Sequence, residues 1–126
     1  MQAPEDLYYT EEHEWIRRIG DSVVRLGVSD YAQDQLGDVV YVELPTEGDT
    51  LAKEDLLAEI ESTKSVGEVY APFAGKVVAV NQSVADAPEL VNTSPYDEGW
   101  LAELEMESEF NADGLLDAAA YKNLTE

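Results

Sequence analysis

Leu57-Ala58-Glu59-Ile60-Glu61-Ser62-Thr63-Lys64-Ser65-Val66-Gly67-Glu68-Val69-Tyr70-Ala71-Pro72 is the stretch on which the fold turns. An apolar-alternating run leads into Glu61-Ser62-Thr63-Lys64-Ser65, and a second β-like run leaves at Val66. Two short strand patterns around a small polar break predict a β-hairpin, Leu56 to Glu61 and Val66 to Tyr70. Lys64 then stands at the exposed tip with its amine in water. A compact amine on a flexible stem is open to acylation, which makes Lys64 a candidate for covalent loading with a prosthetic group. Spacing alone favours the plainer reading, a solvated lysine in a turn.

On either side of the hairpin the chain is rich in strand signals. Glu14 to Ile19, the Gly20-Asp21 turn and Ser22 to Val28 predict another hairpin. Ser29 to Gly37 predicts a short helix with Ser29 as N-cap, Asp30 in the first turn, Gly37 as the stop, and Ala32 and Leu36 facing the core. Asp38 to Leu44 alternates, which predicts a strand with Val40, Val42 and Leu44 on one face and Val39, Tyr41 and Glu43 on the other. Pro45 ends it, and Lys76 to Val80 predicts a further strand ended by Asn81. Residues 1–12 are expected to run over the surface, and Ala87 to Gly99 to be loop-like. Trp100 to Met106 alternates with Trp100, Ala102, Leu104 and Met106 on one side. After Ser108 a helical pattern in two pieces, split at Asp113-Gly114, is expected, with Asp117 capping the second. Six or seven short strands and few helices indicate a β sandwich or flattened barrel.

Composition narrows the chemistry. The chain has 28 acidic and 7 basic residues, a formal charge of −21, so phosphate backbones and anionic lipid are poor partners. Runs such as Glu103, Glu105, Glu107 and Glu109 serve solubility first, and also steering toward basic partners. There is no cysteine, which removes disulfides, thiolate metal sites and a thiol nucleophile. His13 is the only histidine, so a Ser–His–acid triad would have to run through it. No apolar run reaches the length of a membrane span. Met1-Gln2-Ala3-Pro4-Glu5-Asp6 lacks the marks of a targeting peptide, so a cytoplasmic protein is expected, with a processed mitochondrial form left open.

Taken together, seven stretches resemble the H proteins of the glycine cleavage system, the lipoyl carriers of that complex. They are Tyr9-Thr10-Glu11-Glu12-His13-Glu14-Trp15, Tyr31-Ala32-Gln33, Leu36 through Pro45, Glu61-Ser62-Thr63-Lys64-Ser65, Ala71-Pro72 with Gly75, Leu90-Val91-Asn92, and Ser94-Pro95-Tyr96 with Gly99-Trp100-Leu101. They span nearly the whole chain in the family's order.

The resemblance implies one domain over residues 1–126, with a lipoyl-binding core over 22–106. The implied fold is mainly β, a lipoyl/biotinyl-type flattened barrel of two antiparallel sheets with short C-terminal helices. Lys64 corresponds to the lysine that carries lipoic acid through an amide. The implied function is non-catalytic: the aminomethyl group of glycine passes from a pyridoxal-phosphate-dependent glycine decarboxylase to a tetrahydrofolate-dependent aminomethyltransferase, and electrons pass to dihydrolipoyl dehydrogenase. A lipoate-attaching enzyme completes the partner list, and a monomer is expected. In the family the loaded arm folds back beside the His-Glu-Trp segment, which makes Glu14, Glu12 and Glu68 candidate arm contacts. Glu61 is a candidate for recognition by the loading enzyme or for holding the turn, and His13 and Trp15 are expected to pack.

The chain departs from the family pattern at Thr63 and Ser65, where Val and Ala are common, at Lys53-Glu54, and at Glu12, where a small residue is common. The lipoyl domain of a 2-oxoacid dehydrogenase is a competing reading, as is a relay of octanoyl or lipoyl groups; both would also use Lys64. A biotin carrier, with Met-Lys-Met, is contradicted by Thr63 and Ser65. An enzyme reading rests only on His13 and scattered carboxylates.

Overall fold

The computed structural model describes residues 2–125. Strands β1 (Tyr8–Tyr9), β2 (Glu14–Arg18) and β3 (Val23–Val28) are followed by helix α1 (Asp30–Leu36). Next come β4 (Val39–Glu43), β5 (Thr50–Leu51), β6 (Leu56–Ser62), β7 (Val66–Tyr70) and β8 (Gly75–Val80). Helices α2 (Gln82–Asp86) and α3 (Leu90–Thr93), strand β9 (Ala102–Glu105) and helix α4 (Ala118–Thr125) complete the described chain. The strands form two antiparallel sheets, one ordered β1-β2-β3-β9-β8-β5 and the other β4-β6-β7. No helix among the described residues is long and apolar enough to cross a membrane.

The main core lies where Ile16, Val24, Leu26, Val77 and Leu104 of the large sheet meet Val42, Ala58, Ile60 and Val69 of the small one. A second cluster, Leu7, Tyr9, Trp15, Tyr96, Ala118 and Tyr121, packs on the other side of β2. Glu14, Trp15 and Ile16 are therefore buried in succession, because β2 has apolar neighbours on both faces. Burial of an indole and several branched side chains supplies the non-directional driving force.

Both predicted hairpins form, with Trp15 opposite Gly27 in one and Ile60 opposite Gly67 in the other. Helix α1 begins where expected: Ser29 Oγ accepts the Ala32 N–H at 3.1 Å, and Gly37, at φ 81°, ends it. Ala32 and Leu36 pack against the core. Ala102, Leu104 and Met106 are buried in the main core as the alternation required, whereas Trp100 is half-buried against the second cluster, and Asp117 accepts the Ala120 N–H at 2.8 Å.

Four expectations are corrected. The faces of β4 do not simply alternate: Val39 and Val42 are buried, while Val40 and Tyr41 are 54% and 49% exposed. A register shift between Val39 and Tyr41 inserts Val40 as an extra residue and turns it outward. Residues 1–12 do not all run over the surface, since Leu7 and Tyr9 are buried and β1 pairs with β2. Tyr9 stacks on Tyr121 at 4.4 Å between ring centroids, and its hydroxyl donates to the Pro4 carbonyl at 2.7 Å. Among the described residues the stretch after Ser108 forms only one helix, α4; its first part is irregular, with Leu116 exchanging both backbone bonds with Tyr9 at 2.8 Å. An Asn111 side chain that accepts the Asp113 N–H, and Gly114 at φ 84°, offer that backbone a turn in place of helix.

The fourth correction lies between β8 and β9: Asn81 ends β8 as expected, but Ala87 to Gly99 is not all loop, since α3 forms within it and α2 just precedes it. Asn81 organises it. Its Oδ1 caps α2 through the Ser83 N–H at 3.2 Å, and its Nδ2 donates to the carbonyls of Glu98 and Trp100 at 2.7 and 2.8 Å. Asn81→Ala leaves these groups without partners in a buried setting and is expected to cost about 2 kcal/mol. A thermal melt checks this, and an unchanged midpoint would contradict it.

Candidate functional site

The hairpin tip is built by one side chain. Ser62 Oγ accepts from the Ser65 N–H at 3.0 Å and the Lys64 N–H at 3.3 Å, and donates to the Ser65 carbonyl at 3.1 Å. The Ser62 N–H closes the turn on the same carbonyl at 2.8 Å, and the Thr63 N–H reaches the Asp38 carbonyl at 3.1 Å. Lys64 is exposed, as are its neighbours Thr63 and Ser65. The turn is thus held by Ser62 rather than by Glu61. Glu61 lies on the outer face of the small sheet, in register with Tyr41 on one side and Val66 on the other.

Beside this hairpin runs a groove of about 180 Å³ between α1 and the small sheet. Val28, Ala32, Leu36, Ile60 and Val69 give it an apolar lining, and Glu12, His13, Glu14 and Glu68 stand along it. Three of the four candidate acids are therefore brought together and Glu61 is not. Tyr31, Gln35 and Gly67 also border the groove and were not singled out from the sequence. Tyr31 and Gln35 are four apart on α1, but the chain gives no local sign that this side of α1 faces a groove.

The three acids differ in environment. Glu12 and Glu68 are exposed, whereas Glu14 is buried. Glu14 Oε2 accepts the Tyr70 N–H at 2.8 Å and Oε1 accepts the Thr10 hydroxyl at 3.2 Å. Each carboxylate oxygen keeps a spare lone pair, so a cationic amine in the groove has an acceptor available. Loss of hydration pushes the Glu14 carboxyl up to about 7, outweighing the two hydrogen bonds that oppose the shift.

This displacement has a stability consequence. Unfolded, the carboxyl ionises near its ordinary 4.5; folded, it keeps its proton to about 7. The folded chain binds more protons between these values, so the stabilisation is complete below the lower one and is lost as pH rises through the upper, by about 3 kcal/mol. Gln in its place cannot ionise and can keep the contacts with the Tyr70 N–H and the Thr10 hydroxyl. The unfolding free energy of Glu14→Gln is expected to gain about 3 kcal/mol on wild type between about pH 4 and about pH 8. Parallel denaturation curves for the two proteins would sink the assignment.

His13 and Trp15 pack, as expected. His13 Nδ1 lies 2.9 Å from the Tyr121 hydroxyl, which also meets Ser29 Oγ, and burial lowers the imidazole's proton affinity. The Trp15 indole N–H donates to the Pro95 carbonyl at 2.9 Å.

Comparison with known proteins gives a consistent result. The family described as "Glycine cleavage H-protein" matches residues 7–126. A glycine cleavage system H protein of Nocardia farcinica is 57% identical, covering 97% of this chain and 96% of its own. One from an Anaeromyxobacter species is 52% identical, over 100% of this chain and 98% of the relative. Among solved structures, the crystal structure of a glycine cleavage system H protein from Mycobacterium marinum superposes with a TM-score of 0.85 at 36% identity, over 96% of this chain and 97% of that one.

Proposed function

The chain belongs to the glycine cleavage H-protein family, and from that membership and the architecture of the hairpin tip we propose that it is a lipoyl carrier loaded on Lys64. The observation that supports this most directly is a lysine at the end of a turn whose flanking residues, Thr63 and Ser65, are small and exposed. An attaching enzyme can close around such a tip without moving the sheet. When bound, lipoic acid supplies a dithiolane that takes up electrons and carries a one-carbon unit.

The residues of this chain supply the rest. Lys64 provides the amine for the amide bond and the tether, which raises local concentration at each partner's active site. Ser62 fixes the turn that presents it. The apolar lining of the neighbouring groove suits an aliphatic arm, and Glu14, Glu12 and Glu68 offer acceptors to a cationic group held there. On this reading the protein is a carrier component rather than an enzyme, and works as a monomer. Its partners are the glycine decarboxylase, the aminomethyltransferase, dihydrolipoyl dehydrogenase and a lipoate-attaching enzyme.

Incubation with lipoate, ATP and a lipoate ligase, followed by intact and peptide mass measurement, tests the reading. A single lipoyl increment on Lys64 is expected. No increment, or one on Lys53, Lys76 or Lys122 instead, would overturn it.

A further inference from the structure

The Lys64 side chain lies against another element. A Cβ built on Gly37 would sit 3.2 Å from Lys64 Cε, 3.7 Å from Cδ and 3.9 Å from Cγ. The lysine stem therefore crosses the bare Cα of the residue that ends α1. We propose that Gly37 is a positioning residue for Lys64: it forms a cradle that holds the stem across the C-terminus of α1 and so fixes the direction from which the amine is offered for acylation. This rests on the reading of Lys64 as the loading site.

Three independent features build the cradle. Gly37 has φ 81° and ψ −158°, a region that only glycine occupies readily. The same residue is thus required for the backbone and for the space above it.

The segment is then fixed in place. Asn92 Nδ2 donates to the Gly37 carbonyl at 2.8 Å and to Gln33 Oε1 at 3.0 Å, while Asn92 Oδ1 accepts the Val39 N–H at 2.8 Å. The hairpin is tied to the same segment through the Thr63 N–H to Asp38 carbonyl bond at 3.1 Å. Tip and cradle therefore move together.

Charge supplies the third feature. The last turn of α1 contains no basic residue. The Lys64 ammonium, one bond beyond Cε, brings a cation to the negative end of the helix dipole from the neighbouring hairpin. Acylation removes that charge, so this attraction holds the stem only until loading. Van der Waals contact with Gly37 remains afterwards. Leu36, the residue before Gly37, borders the groove.

The test uses the full-length chain. In its unloaded form, carbon- and nitrogen-labelled for NMR, the two Lys64 Hε protons are expected to be inequivalent and to show a nuclear Overhauser contact to the Gly37 Hα protons. Exposed Lys53 serves as the internal reference and should show averaged Hε protons. Absence of that contact in wild type would overturn the cradle, whether or not Gly37→Ala folds.

With lipoate, ATP and a lipoate ligase, Gly37→Ala is expected to lower kcat about tenfold while KM stays within about twofold, because the amine is misdirected and the docking surface is intact. Asn81→Ala, which lowers stability through bonds to Ser83, Glu98 and Trp100 and none to the hairpin, is expected to load at the wild-type rate. A loss of the same size in that variant, or an unchanged kcat in Gly37→Ala, would overturn the inference. Failure of wild type itself to load at Lys64 would overturn the carrier reading beneath it, a result distinct from either.

Discussion

Lys64→Arg is expected to take up no lipoyl increment in the ligase assay and to support glycine cleavage about a thousandfold less well than wild type. Arginine keeps the cation and the long aliphatic stem, so packing over Gly37 and the charge at the end of α1 are retained. What it loses is an amine that can be deprotonated and acylated, since the guanidinium stays charged at any working pH. On the carrier reading proposed above, transfer without the covalent arm would fall back on free lipoamide in solution, and the gain in effective concentration from tethering would disappear. The substituted residue is exposed, so the unfolding free energy is expected to stay within about 0.5 kcal/mol of wild type. Activity and stability are thus separated by one substitution. The decisive readout is the coupled decarboxylase and aminomethyltransferase rate, measured beside a thermal melt. Survival of that rate in the arginine variant would remove Lys64 from the mechanism.

The hairpin that displays this lysine was legible because its information is local. Alternation in Leu56 to Glu61, a polar break and alternation again from Val66 need no distant partner to be read. The same holds for α1, where Ser29 and Gly37 mark both ends. What escaped is what depends on residues far apart in the chain. Val40 sits in an apolar run and reads as inward, and only its pairing with β6 reveals the bulge that turns it out. Phe110 and Leu116 sit in a stretch with helical spacing, but the Asp21 carbonyl and Tyr9 take their backbone bonds.

The groove escaped for the same reason. It joins residues 12–14, 28–36, 60 and 67–69, and no single window contains it. Glu14, Glu12 and Glu68 entered as candidates through a family resemblance rather than through local pattern. That Glu14 is buried, with its carboxyl pushed up by lost hydration, follows from β2 being covered on both faces. The contact between Gly37 and Lys64 crosses 27 positions of the chain (64 − 37 = 27) and leaves no trace in either neighbourhood.

Gly27→Ala is expected to be strongly destabilising for a change of one methyl. Gly27 stands opposite Trp15 in the β2–β3 ladder. An added Cβ would lie 2.5 Å from the indole Cε2 and Nε1 and 2.6 Å from Cζ2, inside any tolerable contact. The ring cannot move aside without cost. It is fully buried, its N–H is fixed on the Pro95 carbonyl at 2.9 Å, and Tyr96 lies 6.2 Å away between ring centroids. Relief must therefore come from sliding β2 along β3, which disturbs the ladder, or from tilting the indole, which breaks its hydrogen bond. Overpacking of this kind costs about 1–3 kcal/mol, and a stranded buried donor and acceptor add about 1–3 more. A total near 4 kcal/mol lowers the melting midpoint by on the order of 15 °C. Trp15→Leu removes the ring from the space that the new methyl needs, at its own cost in lost burial. If the conflict between methyl and indole is the cause, the double variant is more stable than the sum of the two losses predicts, by about 2 kcal/mol of favourable coupling. Additive losses in that cycle would place the cost in the strand backbone and not in the indole pocket.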